Sequence, residues 1–310
     1  MMAGLLVASR LVAAQTDGVR LPAETAGLEQ SARVLVAAFD QVDVLALGED
    51  HGEQRDSDLR IAIVHHPDFA RKVRAIVVEF ASTTEQATLD RYIRGEIVPR
   101  AQLEQVWKTT TQARFAELDP QFFVAFFDAV REVNARLPAT NRIRVLGGDP
   151  GPNDPRSRQT AAVSVLKEQV LEKHEKALVI YGAAHFYRSA PAAYLAGMGP
   201  DVGIVRMLES AYPGRTLVVI PIGGRMELPP GLSVPAPSYA KFDRATTTSQ
   251  RPVLLSLRHS PFADLKAEEF LGGKLLACGD PSGCRSAFAG SPLTLSQIAD
   301  ACVYFGRGGD

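Results

Sequence analysis

The chain has 310 residues, 46% hydrophobic and 22% charged, and its 34 basic and 35 acidic side chains leave a formal net charge of −1. This is the composition of a globular protein with a sizeable core, which argues against disorder. The near-neutral charge, without a basic stripe interleaved with aromatics, argues against a nucleic-acid partner, and no apolar run approaches the roughly 18 residues of a membrane-spanning helix.

Met1 to Ala14 is apolar and small, with Val12-Ala13-Ala14 before Gln15. Arg10 interrupts it and no basic segment precedes it, so it reads as a secretory signal shortened at its start. Residues 15–310 read as a single domain. Leu28, Ala32, Leu35, Val36 and Phe39 fall at helical spacing, predicting a helix over 28–39. The run Val42 to Leu47 then reads as a buried strand, ending in Gly48-Glu49-Asp50-His51. A helix over 53–70 follows, and a second strand, Ile76-Val77-Val78, ends at Glu79.

Residues 84–136 read as a helical insertion after this second strand. Leu89 to Gly95 forms a helix closed by glycine, and Phe122, Phe123, Phe126 and Phe127 make an aromatic face. A strand over 143–146 delivers Gly147-Gly148-Asp149-Pro150, and 151–158 is a loop. A helix over 160–173 leads to the strand Ala177 to Tyr181, which ends in the second Gly-x-x-His, Gly182-Ala183-Ala184-His185. Further strands are expected over 202–208, 216–222, 253–257 and 301–305, in a looser C-terminal part, 223–310, whose segment 229–237 is a loop or lid. The fold class is α/β, a central largely parallel or mixed sheet flanked by helices.

In such sheets ligands bind beyond the carboxyl ends of the strands. Strand-end His51 and His185 with Glu49 and Glu79 can therefore converge on one edge. Glu49 and His51 flank one residue, so in extended chain they point the same way. Imidazole nitrogens and carboxylates suit Zn, Mn, Co or Fe(II), and a metal-bound water would supply hydroxide near neutral pH. Without metal, His51 could take a proton from water, with Glu49 or Glu79 orienting its ring and His185 or Arg55 stabilising an oxyanion. Asp149 sits at a tight turn near the same edge, and Tyr187, two residues beyond His185, could face the same pocket.

The remaining histidines have plainer explanations. His65 and His66 precede Pro67 in a surface turn, His174 lies in a charged helix end, and His259 follows a strand. There is no Gly-x-Ser-x-Gly elbow and no phosphate-binding glycine loop. Cys278 and Cys284 bracket a turn-rich loop and could form a small disulfide suited to an exported protein, whereas Cys302 sits in an apolar run.

Leu47 to Gly52, Val77-Val78-Glu79, Leu89 to Gly95, Val145 to Pro150 and Ile180 to His185 together resemble the Tiki/TraB, ChaN and erythromycin-esterase superfamily, chiefly over residues 40–190. The resemblance implies an α/β sheet with its active groups at one end. In the Tiki branch it implies a metal-dependent protease, with His51, His185 and Glu79 in the metal set. In the erythromycin-esterase branch it implies a metal-independent hydrolase using His51, Glu49 and Glu79. In the ChaN branch it implies haem binding at the bacterial envelope, for which His185 or Tyr187 would be the axial ligand. The Glu49-Asp50-His51 spacing is one residue shorter than is usual among erythromycin esterases and fits the ChaN and Tiki pattern better. The expectation is a periplasmic or secreted hydrolase for a small-molecule or peptide substrate bearing an ester, lactone or amide. A haem-binding protein without turnover is the alternative.

Overall fold

The computed structural model describes residues 19–113, 120–192, 194–195, 203–223, 239–258, 260–271, 276–280 and 283–306, of which 276–280 and 283–284 are described by backbone alone. Met1–Ala14, His259 and the 229–237 segment lie outside them. Strands β1 (Glu24–Ala26), β2 (Val44–Glu49), β3 (Ala75–Ser82), β4 (Arg144–Asp149), β5 (Ala177–Gly182), β6 (Thr216–Ile222), β7 (Val253–Ser256) and β10 (Ala301–Tyr304) form one sheet in the order β1-β7-β10-β6-β2-β5-β3-β4. From β10 to β4 every neighbouring pair is parallel, and β7 runs antiparallel to both β10 and β1. The α/β class and mixed sheet expected from the sequence are what the fold has. A hairpin of β8 (Leu276–Asp280) and β9 (Gly283–Ser286) stands apart from it. Cys278 and Cys284 fall on that hairpin, but their side chains are outside the described residues; Cys302 is free and buried.

Alternation along the parallel strands divides the core. Leu45, Leu47, Ile76, Val78, Leu178 and Ile180 belong to one apolar layer; Val44, Ala46, Val77, Val179 and Tyr181 belong to the other. Helices α1 (Leu28–Ala38), α2 (Gln54–His65) and α4 (Pro120–Ala135) cover the first layer, while α5 (Arg158–Gln169) and α6 (Ile204–Ala211) cover the second. The aromatic face expected on α4 does meet the sheet. Phe80 stacks on Phe123 at 4.5 Å and meets Phe126 edge-on at 5.9 Å.

Three expectations are corrected. Residues 202–208 do not form a strand. Ile204–Ala211 is a helix, α6, whose buried Ile204, Val205 and Leu208 recur at helical spacing, and strand and helix are hard to separate in a short apolar run. The helical stretch 84–136 is broken among the described residues into α3 (Gln86–Ile93), two four-residue helices (Arg100–Leu103 and Gln105–Lys108) and α4. Glu79 does not end its strand: β3 runs on to Ser82, with a register shift against β4 between Val78 and Ser82.

The connections create a switch point. From β2 the chain leaves through α2 on one face, whereas from its neighbour β5 it leaves through α6 on the other, to reach β6 on the far side of β2. A crevice therefore opens beyond the carboxyl ends of β2 and β5, where α/β sheets bind ligands.

Candidate functional site

Both Gly-x-x-His motifs stand at that switch point, on adjacent strands in register, Glu49 opposite Gly182. Each motif's glycine makes room for the other motif. A Cβ on Gly48 would lie 2.9 Å from Ala183, and one on Gly182 would lie 3.1 Å from His51 Nε2. A side chain at Gly182 would press the imidazole back by a few tenths of an ångström.

By strand alternation Glu49 belongs to the α2 face of the sheet and Glu79 to the α5 face. His51 spans the two at the sheet's end: its Nδ1 lies 3.1 Å from Glu49 Oε1 and its Nε2 lies 3.8 Å from Glu79 Oε2. The second imidazole converges on the same carboxylate, His185 Nε2 lying 3.2 Å from Glu79 Oε1. Glu79 also accepts from Arg158 Nη1 at 2.9 Å and from the Gly182 amide at 2.7 Å. Glu79 is 1% exposed, His185 15% and His51 34%, so His51 is the member most open to a ligand.

Each carboxylate has an arginine that sequence reasoning missed. Arg60, on the buried face of α2, donates to Glu49 Oε2 at 2.5 Å and to the Phe122 carbonyl at 3.0 Å. Its guanidinium lies 5.0 Å from the Phe80 ring centre and 5.5 Å from that of Phe126, a cation–π seat out of water. Arg158 opens α5, which Ser157 caps by accepting from Thr160 N. Asp56, four residues before Arg60, could have signalled a polar helix face turned inward. Its Oδ2 accepts from the Asp50 amide at 3.1 Å and so braces the loop that carries His51.

These contacts set the charges. Burial alone would lower the His51 pKa, but the hydrogen bond and charge of Glu49, with Glu79 and Asp50 behind it, raise it to about 9. Burial would raise Glu79, but His185, His51 and the Gly182 amide outweigh it and hold the carboxyl at about 2. Glu49 is lowered too, Arg60 and His51 overcoming its desolvation. Asp56 goes the other way. Burial, then the charges of Asp50 and Glu49, push it well above the carboxylate range. At neutral pH the site thus holds an imidazolium between two carboxylates.

The other candidates lie elsewhere. Arg55 donates to the Phe305 carbonyl at 2.9 Å and lines a separate cleft. Asp149 is fully buried and accepts from Thr111 N, Thr111 Oγ1 and Gly151 N, which ties the turn after β4. Tyr187 is 3% exposed, its ring 6.1 Å from Phe288, and burial raises its phenol far above the usual range.

Neither a metal nor haem fits these residues as placed. Among the described residues no three His, Cys, Asp or Glu side chains converge as a metal-holding group, and Arg158 sets its own positive charge on Glu79. The recess bounded by Glu49, His51, Arg60 and Phe122 measures about 10 Å³, whereas ligand pockets run to roughly 300 Å³ and more. Of the two expected axial ligands, His185 is engaged with Glu79 and Tyr187 is buried.

Residues 35–149 match the family described as haem-binding uptake, Tiki superfamily, ChaN, in agreement with the resemblance read from the motifs. The matched segment includes His51 and Glu79 and stops before His185. No protein of curated function matches the sequence. Among solved structures, a Bacillus cereus protein is 13% identical, with 91% of this chain and 92% of that one covered and a TM-score of 0.56. A succinoglycan biosynthesis protein is 11% identical, with 87% and 88% covered and a TM-score of 0.56. A mutant of the erythromycin esterase EreC in its open conformation is 12% identical, with 92% and 98% covered and a TM-score of 0.49. At such identities the first two likenesses show a shared fold.

Proposed function

We propose that this chain, whose residues 35–149 match the Tiki/ChaN family, is a hydrolase that cleaves an ester, lactone or amide with water activated by His51. The observation that carries the reading is the clamp on His51, with Glu49 at Nδ1 and Glu79 beyond Nε2. A carboxylate on Nδ1 holds the proton there, so that Nε2 of the neutral ring is the basic nitrogen. Arg60 locks that carboxylate in a buried ion pair, and a swing of the ring would give up its hydrogen bond to Glu49.

In this reading a water loses its proton to His51 Nε2 as its oxygen adds to the substrate carbonyl carbon. Glu49 and Glu79 stabilise the imidazolium that forms, and Arg158 supplies positive charge toward the developing oxyanion. Collapse of the tetrahedral adduct breaks the carbonyl–leaving-group bond. The proton on His51 then passes to the departing alkoxide or amine. His185 holds Glu79 from the opposite side and fixes the carboxylate that His51 faces.

An envelope or secreted location is part of the reading and rests on the apolar Met1–Ala14 segment. Among the described residues no helix is long and apolar enough to cross a membrane. The test of function is a panel of simple esters, lactones and amides, followed by titration of the acid released near pH 9. Turnover by the native protein and its loss in His51→Ala would support the reading. Equal rates in both would end it.

A further inference from the structure

A second feature of the carboxyl edge has no part in the chemistry above. Phe305 and Gly306 directly follow β10, which lies two strands from β2 in the sheet and so about 10 Å away. Beside them opens a cleft of about 790 Å³, a volume typical of small-molecule sites. One wall comes from the start of α2, where Arg55 and Asp58 stand one helical turn apart. The other comes from Asp243, Arg251 and a run of three threonines and a serine at 246–249. Helix α2 begins three residues after His51, so Arg55 in the cleft wall stands four residues along the chain from the catalytic imidazole.

Packed against Tyr304 is a polar group without a hydrogen-bond partner among the described residues. The Tyr239 hydroxyl is buried and makes no hydrogen bond among the described residues. Its ring stands 6.1 Å from that of Tyr304, whose hydroxyl donates to Asp243 in the cleft wall. Burial first, and then the charge of Asp50, raise the Tyr239 phenol to about 12.

The lining specifies a chemistry. Two guanidiniums are balanced by two carboxylates, so the described lining has no net charge to attract an ion. Among the described residues Arg55 makes one hydrogen bond, to the Phe305 carbonyl, out of five available donors. The hydroxyls of 246–249 both donate and accept, as the hydroxyls of a polyol do. Leu28, Pro252 and Phe305 add apolar surface for the C–H face of a ring.

We infer that this cleft is the substrate-recognition site and that it takes a neutral polyhydroxylated group, such as a sugar ring, whose ester or amide reaches His51. The inference rests on the hydrolase reading for its link to catalysis, but the binding it requires can be measured without turnover. The experiment uses full-length His51→Ala protein titrated calorimetrically with a butyrylated methyl glucoside, and separately with methyl butyrate. Saturable binding of the glucoside at least about tenfold tighter than that of methyl butyrate is expected, because several hydrogen bonds distinguish the two. Adding Arg55→Gln should weaken glucoside binding about tenfold, and Thr248→Val, which leaves every guanidinium in place, should weaken it by a smaller factor. Equal binding of the two probes, no binding of the glucoside, or indifference to both substitutions would overturn the inference. Glucoside binding in a protein whose native form hydrolyses nothing would uphold the cleft and remove the hydrolase. Hydrolysis of simple esters with no glucoside binding would do the reverse.

Discussion

The Cα of Gly182 is placed so that a methyl group on it would stand 3.1 Å from His51 Nε2. The glycine of the second motif is therefore a constraint on the histidine of the first. Gly182→Ala should force the imidazole away from Glu79 while leaving the strand intact. We expect a fall in rate of about tenfold, less than the roughly 10²-fold that displacing a catalytic group by a full ångström costs. Circular dichroism should be unchanged, and the His51 ring should titrate at lower pH as it leaves the carboxylate.

Activity should rise with pH. His51 is held at about 9, so at pH 7 only about one ring in a hundred is neutral and able to accept a proton. The rate should climb roughly tenfold per unit until it levels near pH 9. A pH–rate profile with matching NMR titration of His51 checks both numbers. Glu49→Gln removes the partner that raises the ring most and should shift the inflection downward.

Stability should show the complementary window. A histidine raised from 6.5 to about 9 stabilises the fold fully below 6.5, and this contribution fades as pH rises through 9. A carboxylate lowered from 4.5 to about 2 stabilises fully above 4.5, and its contribution is lost as pH falls toward 2. The His51–Glu79 cluster thus contributes most between about 4.5 and 6.5. Thermal melting across pH should lose this contribution on both sides, and the alkaline loss should vanish in His51→Ala.

Removing Arg60 alone should be costly. Arg60→Leu leaves the buried Glu49 with His51 as its remaining charged partner, so the cost should approach but not exceed the roughly 3–5 kcal/mol of a wholly unpaired buried charge. Arg60→Leu with Glu49→Leu should recover much of that stability in urea unfolding, because no buried charge is left unpaired. Activity should stay low in the double variant, since the His51 tautomer has lost its anchor.

Much of this architecture is legible in the sequence because parallel strands covered on both faces are short apolar runs. β2 and β5 are such runs, and their terminal glycines announce a sharp approach between neighbours. The convergence of His51 and His185 could be expected from that pattern, and their shared partner Glu79 could be placed on the same edge. Sequence reasoning fails where tertiary packing decides. Arg60 and Arg158 sit on helices where an arginine ordinarily faces water, and only the sheet beneath makes them partners of Glu49 and Glu79. β1 has three residues and takes its pairing from β7, far along the chain, so no local signal marks it. Arg55 is close to His51 in sequence, yet the first turn of α2 sends it toward Phe305 and the cleft.

The most direct test of the central claim is hydrolysis of p-nitrophenyl butyrate near pH 9 by the native protein, His51→Ala and His185→Ala, each verified as folded. The account predicts turnover by the native protein and a loss of about 10²–10⁴-fold in His51→Ala, the range for removal of a general base, with a smaller loss in His185→Ala. Turnover that survives unchanged in His51→Ala would contradict it.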